Sequence, residues 1–239
     1  MIALLASVRT VEEALNAAAS GADIIDLKEP RGGALGALPL TVIREIVCAL
    51  RIDRPRIPIS ATVGEEPLSR VQSVVDCGVD YVKVGVQSPA ALQSLASLAS
   101  PVVPVLLADT GLDIACVELA CQLGFPIVML DTADKSRGSL LDCVPLAALL
   151  RIVKRVQASG VRIGLAGALR FEHAAALREL APDIAGFRGA LCDGGRGGKL
   201  DPRKLSELCA VLAALPAAAL VSGAGQTCQP RRSRSAHCA

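Results

Sequence analysis

The chain has 239 residues, of which 52% are hydrophobic and only 2% aromatic, so its core must be built from aliphatic side chains. Its formal net charge is +2, but segment 226–239 holds three arginines and no acid, which leaves 22 basic against 23 acidic side chains in the preceding residues. This near-neutral balance does not favour a nucleic-acid-binding surface, and no apolar run reaches the roughly 18 residues expected of a membrane span.

Strand-like and helix-like segments alternate along almost the whole chain. Strands are predicted at residues 2–6, 22–27, 57–63, 79–86, 102–108, 126–130, 161–166 and 183–187. Helices are predicted at residues 10–19, 39–50, 67–77, 89–98, 112–123, 140–159, 171–180 and 202–215. The first helix is expected to begin with Thr10 as its N-cap, and Glu13 three residues later would complete a capping box.

The predicted strands are runs of Val, Ile, Leu and Ala rather than alternating patterns, as expected when both faces of a sheet are buried. Eight consecutive strand–helix units predict an α/β fold, a single (β/α)8 TIM barrel that occupies residues 1–220. A doubly wound open sheet would usually carry a glycine-rich fingerprint after the first strand, and residues 7–10 contain none. Residues 221–239 show no apolar periodicity and are predicted to form a disordered basic tail.

Cysteine and histidine usage bears on compartment and cofactors. Nine cysteines occur without a CxxC pair, and the apolar N-terminus lacks the leading charge and length of a signal peptide, so a cytoplasmic protein with free thiols is expected. The two histidines, His173 and His237, have no neighbouring metal ligands, so no metal and no other cofactor is expected. His173 is predicted to lie on the surface of the seventh helix.

Three lysines lie near the ends of predicted strands. Lys28 follows the second strand, Lys83 lies in the fourth, and Lys135 follows Asp131 at the end of the sixth. Active sites of (β/α)8 barrels occupy the C-terminal ends of the strands, and alternate strands contribute side chains to the same interior layer. Together with Arg188 after the eighth strand, these residues are therefore predicted to converge on one pocket.

The acids beside these lysines leave two interpretations open. Asp26 precedes Lys28 by two residues, so both side chains face the same side of the second strand. Pairs such as Asp26–Lys28 and Asp131–Lys135 are either structural ion pairs at the barrel mouth or parts of a basic pocket for a phosphorylated carbonyl compound. In the second case one lysine is an amine nucleophile. The occurrence of all these residues in one chain favours the pocket, but spacing alone does not decide between Lys28 and Lys83 as nucleophile.

Glycine-rich turns after the last two strands indicate where a phosphate binds. Glycines let backbone amides approach an anion, and in (β/α)8 barrels these two loops frequently form a phosphate site. Gly167, Ala168 and Gly189 are predicted to bind through this backbone, and Arg188 through a bidentate contact of its guanidinium. The glycine-rich segment 193–199 is either a flexible exposed loop or a second anion-binding loop.

Six segments resemble those of a known family, the (5-formylfuran-3-yl)methyl phosphate synthases. They are residues 21–30, 58–64, 80–85, 130–135, 165–169 and 186–190, and the resemblance extends over residues 2 to about 212. It implies that two molecules of glyceraldehyde 3-phosphate are joined into a furan aldehyde phosphate, with loss of phosphate and water, on the route to methanofuran. It also implies site roles: a Schiff base on Lys28, general acid/base catalysis by Lys83, and assistance from Asp26, Asp131 and Lys135.

Two other functions share the same residues. A class I aldolase-type barrel acting on triose or pentose phosphates would use the Schiff-base lysine but release an aldol product. A non-catalytic sugar-phosphate-binding protein would keep the pocket, although binding alone would not need acids beside the lysines. For the leading function the expected partner is a small phosphorylated triose, and the Ala-rich helices are compatible with a homo-oligomer.

Overall fold

The structure, a computed structural model, describes residues 1–64, 67–98 and 100–214, and within them all side chains but those of Pro67 and Lys135. In this part of the chain eight parallel strands close into one barrel in chain order. The strands are β1 (Ala3–Val8), β2 (Ile24–Leu27), β3 (Ile59–Thr62), β4 (Tyr81–Val86), β5 (Val102–Leu107), β6 (Ile127–Asp131), β7 (Arg162–Leu165) and β8 (Ile184–Phe187). The predicted (β/α)8 barrel is thus confirmed.

Helices follow the strands. They are α1 (Val11–Ala19), α2 (Leu40–Asp53), α3 (Pro67–Val75), α4 (Pro89–Ala96), α5 (Ile114–Gln122), α6 (Leu140–Cys143), α7 (Leu146–Ala158), α8 (Ala174–Leu180) and α9 (Pro202–Ala213). The single helix predicted at 140–159 is two helices, because Pro145 lacks the amide hydrogen that would continue α6 and instead becomes the N-cap of α7. The predicted tail 221–239, and residues 215–220 of the predicted barrel domain, lie outside the described residues.

Side chains inside the barrel change character along the strands. A cluster of apolar side chains, including Leu5 and Ile24, fills the part near the N-terminal ends. Because strand residues two apart face the same side, Ser7 and Asp26 follow these two residues into the interior near the C-terminal ends. The intervening residues point outward and pack under the helices. The barrel therefore has an apolar floor and a polar layer above it.

The region after β7 differs from the prediction. A 3-10 turn, Phe171–His173, precedes α8. His173 is buried, and its Nδ1 accepts a hydrogen bond of 3.1 Å from the Arg170 amide. The predicted surface position of His173 was wrong, because the turn redirects the chain and points the ring inward.

No helix in the described ranges is long and apolar enough to cross a bilayer. The same ranges contain no group of three or more His, Cys, Asp or Glu side chains arranged to hold a metal ion.

Candidate active site

The C-terminal end of the barrel opens into a pocket of about 590 Å³. Residues of β1, β4, β6 and β8 line it, together with Lys28 directly after β2 and the loops after β7 and β8. The sequence-predicted site residues that line it are Lys28, Lys83, Asp131, Gly167, Ala168, Arg188 and Gly189. The structure therefore brings together residues from all four even strands, as the topology predicted.

Asp26 lies fully buried among these residues and is the centre of a polar cluster. Lys83 Nζ lies 2.8 Å from Asp26 Oδ2, and the Ser7 hydroxyl donates to the same oxygen at 2.9 Å. The Ser60 hydroxyl donates to Oδ1 at 2.7 Å. Ser7 and Ser60 are the register partners of Asp26 on β1 and β3, so neighbouring strands deliver both hydroxyls to the carboxylate. These two serines were missed by the sequence analysis, and only the register between strands identifies them.

Opposing effects act on the pKa of Asp26. Burial alone would raise this pKa, because a carboxylate loses hydration in the barrel interior. The ammonium groups of Lys83 and Lys28, together with hydrogen bonds from Lys83 and Ser60, outweigh burial and lower the pKa below its ordinary value. Asp26 is therefore a carboxylate at neutral pH and stabilises positive charge on the lysines around it.

We expect Asp26 to contribute to stability against acid. Its pKa is lower in the folded than in the unfolded chain, so its contribution is full above the unfolded-state value of about 3.9 and is lost as pH falls through the lowered folded-state value. Asp26→Asn should therefore flatten the fall in the free energy of unfolding below about pH 4, measured by urea denaturation at a series of pH values. Asp53→Asn, at an exposed aspartate, serves as the control. An unchanged acid slope in Asp26→Asn would contradict the expectation.

The second ion pair also joins different strands. Lys28 Nζ lies 3.5 Å from Asp131 Oδ2, while Asp131 Oδ1 accepts a 2.7 Å hydrogen bond from the Thr132 amide. The local pairing Asp26–Lys28 considered in the sequence is thus replaced by two pairs across strands, Asp26–Lys83 and Asp131–Lys28. The reason is that barrel closure brings interior side chains of different strands closer than neighbours two residues apart on one strand.

The loop that carries Lys135 is anchored by a buried acid. Asp109 accepts hydrogen bonds from the amides of Ala133 and Asp134, at 2.7 and 2.8 Å. Asp134 in turn caps the 3-10 turn in which Lys135 is the first residue. The backbone of Lys135 is therefore fixed beside the end of β6, but its side chain, and with it the Asp131–Lys135 pairing, lies outside what the structure describes.

Arg188 has a different role in the geometry from the one predicted. Its two terminal nitrogens donate to the two carboxylate oxygens of Glu13 at 2.6 and 3.0 Å. The remaining hydrogen bonds of the guanidinium go to the carbonyl oxygens of Ser7, Arg196 and Gly198. The bidentate partner of Arg188 is thus a buried carboxylate of α1, so the expected bidentate contact with a phosphate is not available without breaking this ion pair.

Glu13 departs from the predicted capping box for the same reason. The Thr10 hydroxyl accepts from the Glu13 amide at 3.2 Å, as predicted, but the Glu13 carboxylate accepts from the amides of Arg9 and Leu200 and from Arg188. Burial would raise the pKa of Glu13, and the hydrogen bond and charge of Arg188 more than offset it, so the pKa is lowered. Glu13 therefore joins α1 to the loop after β8.

Residues 167–168 after β7 and 189–190 after β8 line the pocket where the phosphate was predicted. Gly167 and Ala168 have positive φ of 107° and 47°, and Gly189 and Ala190 begin a 3-10 turn. A Cβ on Gly167 would lie 3.0–3.1 Å from Thr132 atoms, so glycine allows the close approach of the two loops. Within the described ranges, the amides of Ala168, Gly189 and Ala190 have no acceptor. We call the residues 167–168 and 189–190 the amide cradle.

The glycine-rich segment 193–199 is held in place at both ends. Cys192 and Leu200 form an antiparallel bridge, and the Asp193 amide donates to the Lys199 carbonyl at 2.9 Å. Lys199 Nζ also lies 2.8 Å from Glu12 of α1. With the two bonds from Arg188, these contacts make the segment an anchored loop at the rim of the pocket.

Comparisons with known proteins agree with this architecture. The family model described as 4-HFC-P synthase matches residues 4–209. The (5-formylfuran-3-yl)methyl phosphate synthase of Methanocaldococcus jannaschii is 34% identical over 237 residues, which covers 86% of this chain and 99% of that protein. The protein of the same name from Methanopyrus kandleri is 35% identical over 216 residues, covering 80% and 90%. Phosphoribosyl anthranilate isomerase from Thermus thermophilus superimposes with a TM-score of 0.68 at 20% identity, covering 89% and 98%, and shows the fold alone.

The family match spans nearly the whole described barrel, including β2, β4, β6 and the loops after β7 and β8. It confirms the family resemblance inferred from the six sequence segments. The relatives that share more than 30% of their residues with this chain are named synthases. The chain therefore belongs to the 4-HFC-P synthase family, and it is an enzyme.

Proposed function

We propose that this enzyme condenses two molecules of glyceraldehyde 3-phosphate into (5-formylfuran-3-yl)methyl phosphate through a lysine Schiff base, in the formation of methanofuran. The observation that carries the proposal is the meeting of two buried lysines with two carboxylates in one pocket at the C-terminal end of the barrel. An amine in such surroundings suits covalent catalysis on a carbonyl compound. The name of the relatives supports the identity of the product.

The geometry favours Lys28 as the nucleophile. Its Nζ lies 3.5 Å from its carboxylate partner, whereas Lys83 Nζ lies 2.8 Å from Asp26. Lys28 is also the more exposed of the two, at 8% against 4%. The lysine less tightly held by its carboxylate and nearer to solvent is the better candidate for attack on an entering aldehyde, which leaves Lys83 with Asp26 as the acid/base pair.

The reaction proceeds in steps that these groups can serve. Lys28 gives a proton to Asp131, its partner at 3.5 Å, and the neutral Nζ adds to the aldehyde carbon of one triose. Loss of water then gives an iminium, which acidifies the neighbouring C–H bond. Lys83 moves the proton, and the enamine carbon so formed makes the new carbon–carbon bond to the second triose. One triose loses its phosphate by elimination, and closure and aromatisation of the furan ring expel two waters. Hydrolysis then releases Lys28 and takes up the water that was lost when the iminium formed. The net reaction converts two triose phosphates into one six-carbon monophosphate, one phosphate and two waters.

The amide cradle provides a place for the phosphate that the product keeps. Amide groups that converge at a turn act as fixed partial positive charges and bind phosphate oxygens. The cradle lies on the β7 and β8 side of the same pocket that holds Lys28 and Lys83. A triose held there by its phosphate would present its carbonyl carbon to the lysines.

The test is incubation of the protein with glyceraldehyde 3-phosphate as the sole substrate. We expect a furan aldehyde, detected by its ultraviolet absorbance and by mass, and one free phosphate for each furan. A non-aromatic sugar bisphosphate without phosphate release would indicate a class I aldolase instead. Unchanged substrate that nevertheless binds, measured by calorimetry, would indicate a sugar-phosphate-binding protein.

A further inference from the structure

The cationic side chains that line the pocket differ in one respect, the presence of a carboxylate partner. Among the described side chains, five cationic residues line it: Lys28, Lys83, Arg170, Arg188 and Arg196. Four of these form ion pairs within the protein: Lys28–Asp131 (3.5 Å), Lys83–Asp26 (2.8 Å), Arg170–Glu172 (2.8 Å) and Arg188–Glu13 (2.6 Å). Arg196 meets no carboxylate within 4 Å in the described part of the chain. Its charge therefore remains uncompensated at the pocket.

Arg196 is held across the pocket mouth. Its carbonyl oxygen accepts a hydrogen bond of 3.1 Å from Arg188 Nε, which fixes its backbone. A Cβ on Gly189 would lie 3.7 Å from the Arg196 Cβ, so the side chain starts beside the amide cradle. It ends at the loop after β2, where Nη2 donates to the Gly33 carbonyl oxygen at 3.1 Å. The guanidinium thus lies toward the loop that follows Lys28, away from the cradle at which the side chain begins.

A single carbonyl contact leaves most of the guanidinium donors of Arg196 available. A guanidinium carries five N–H groups in a planar fork that matches phosphate oxygens, and one of them is used by Gly33. Uncompensated charge, unused donors and a fixed backbone at the pocket rim are the properties of an anion-binding residue. By contrast, both terminal nitrogens of Arg188, the arginine that the sequence singled out, already donate to a carboxylate.

We propose that Arg196 forms a second phosphate subsite at the pocket mouth, separate from the amide cradle, which binds the phosphate that leaves during the reaction. This inference rests on the proposed function, because that reaction brings two phosphates into one pocket and expels one. The cradle amides hold the retained phosphate, while Arg196 balances the negative charge that develops as the other phosphate departs. The position of Arg196 between the cradle and the Lys28 side of the mouth fits this division.

Binding of inorganic phosphate tests the subsite without requiring turnover. Isothermal titration calorimetry would measure phosphate affinity for the full chain, first alone and then saturated with (5-formylfuran-3-yl)methyl phosphate. We expect the product-saturated wild type still to bind phosphate, and Arg196→Ala to bind it about ten- to a hundredfold more weakly, because one charge-assisted contact is lost. Arg196→Lys should recover part of the affinity, since the charge is kept and the fork is lost.

Arg170→Ala is the matched control, because Arg170 lines the same pocket but is paired with Glu172. The phosphate affinity of this variant should stay at the wild-type level. Equal affinity in Arg196→Ala and wild type, with or without the furan phosphate, would overturn the subsite. So would loss of phosphate binding by wild type on saturation with the furan phosphate, because a single site would then serve both. Failure of the furan phosphate to bind wild type would contradict the proposed function, while the titration of free protein would still decide the role of Arg196.

Discussion

Lys28→Arg is expected to abolish furan formation while triose phosphate binding persists. Arginine keeps a positive charge beside Asp131, so an arginine–carboxylate ion pair can replace the Lys28–Asp131 pair of 3.5 Å in the wild type. Its guanidinium stays protonated at any ordinary pH and cannot form an iminium. Turnover should therefore fall by several orders of magnitude, measured as furan absorbance, whereas calorimetric binding of glyceraldehyde 3-phosphate should change little.

Borohydride trapping separates the roles of the two lysines. Reduction of wild type in the presence of substrate should leave a mass adduct on the peptide that contains Lys28, and none in Lys28→Arg. Lys83→Arg should turn over slowly, because water can partly replace a general acid/base, and should still be trapped at Lys28. An adduct on Lys83 instead would exchange the two roles, and no adduct on either lysine would rule out the covalent mechanism.

The second large effect is expected from Arg188→Ala, as a loss of stability. Glu13 is 3% exposed, and among the described side chains removal of Arg188 leaves Arg9, at 3.8 Å, as the one cation within 4 Å of its carboxylate. Removing one partner of a buried ion pair lowers the free energy of unfolding by about 3–5 kcal/mol, which corresponds to a fall of roughly 6–20 °C in Tm for a domain of this size. Thermal unfolding followed by circular dichroism measures the effect.

Two further variants show whether the lost charge pairing is the cause. Glu13→Gln combined with Arg188→Met removes both charges and should recover much of the loss, because no unpaired charge remains buried. Arg155→Ala breaks an Arg–Glu pair of 2.8 Å on the surface and should cost about 1 kcal/mol or less. Equal losses in Arg155→Ala and Arg188→Ala would show that Arg188 does not stabilise the barrel in this way.

If Arg188 positions the loop after β8, its removal should also disturb the amide cradle and the Arg196 loop, because its guanidinium bonds to the carbonyls of Arg196 and Gly198. A raised KM in Arg188→Ala therefore does not by itself indicate a direct contact with phosphate. The comparison with Arg196→Ala distinguishes the cases, since that variant should lose phosphate affinity without the loss in Tm.

The sequence by itself determined the fold and several of the residues that reach the pocket. Apolar runs that alternate with helical segments predict a parallel barrel, and barrel topology sends the ends of β2, β4, β6 and β8 to one mouth. Lys28, Lys83, Asp131 and Arg188 line that mouth for this reason. These properties depend on local periodicity, which the order of residues along the chain specifies directly.

The tertiary structure alone decided which of these residues pair. Strand register places Ser7 and Ser60 beside Asp26. Barrel closure pairs Asp26 with Lys83 and Asp131 with Lys28. A long-range case is Glu13, which lies 175 residues from Arg188 in the chain and forms a bidentate ion pair with its guanidinium. Spacing along one strand specifies the face to which a side chain points, but the partner it meets depends on register and on loop packing, because these bring together residues far apart in the chain.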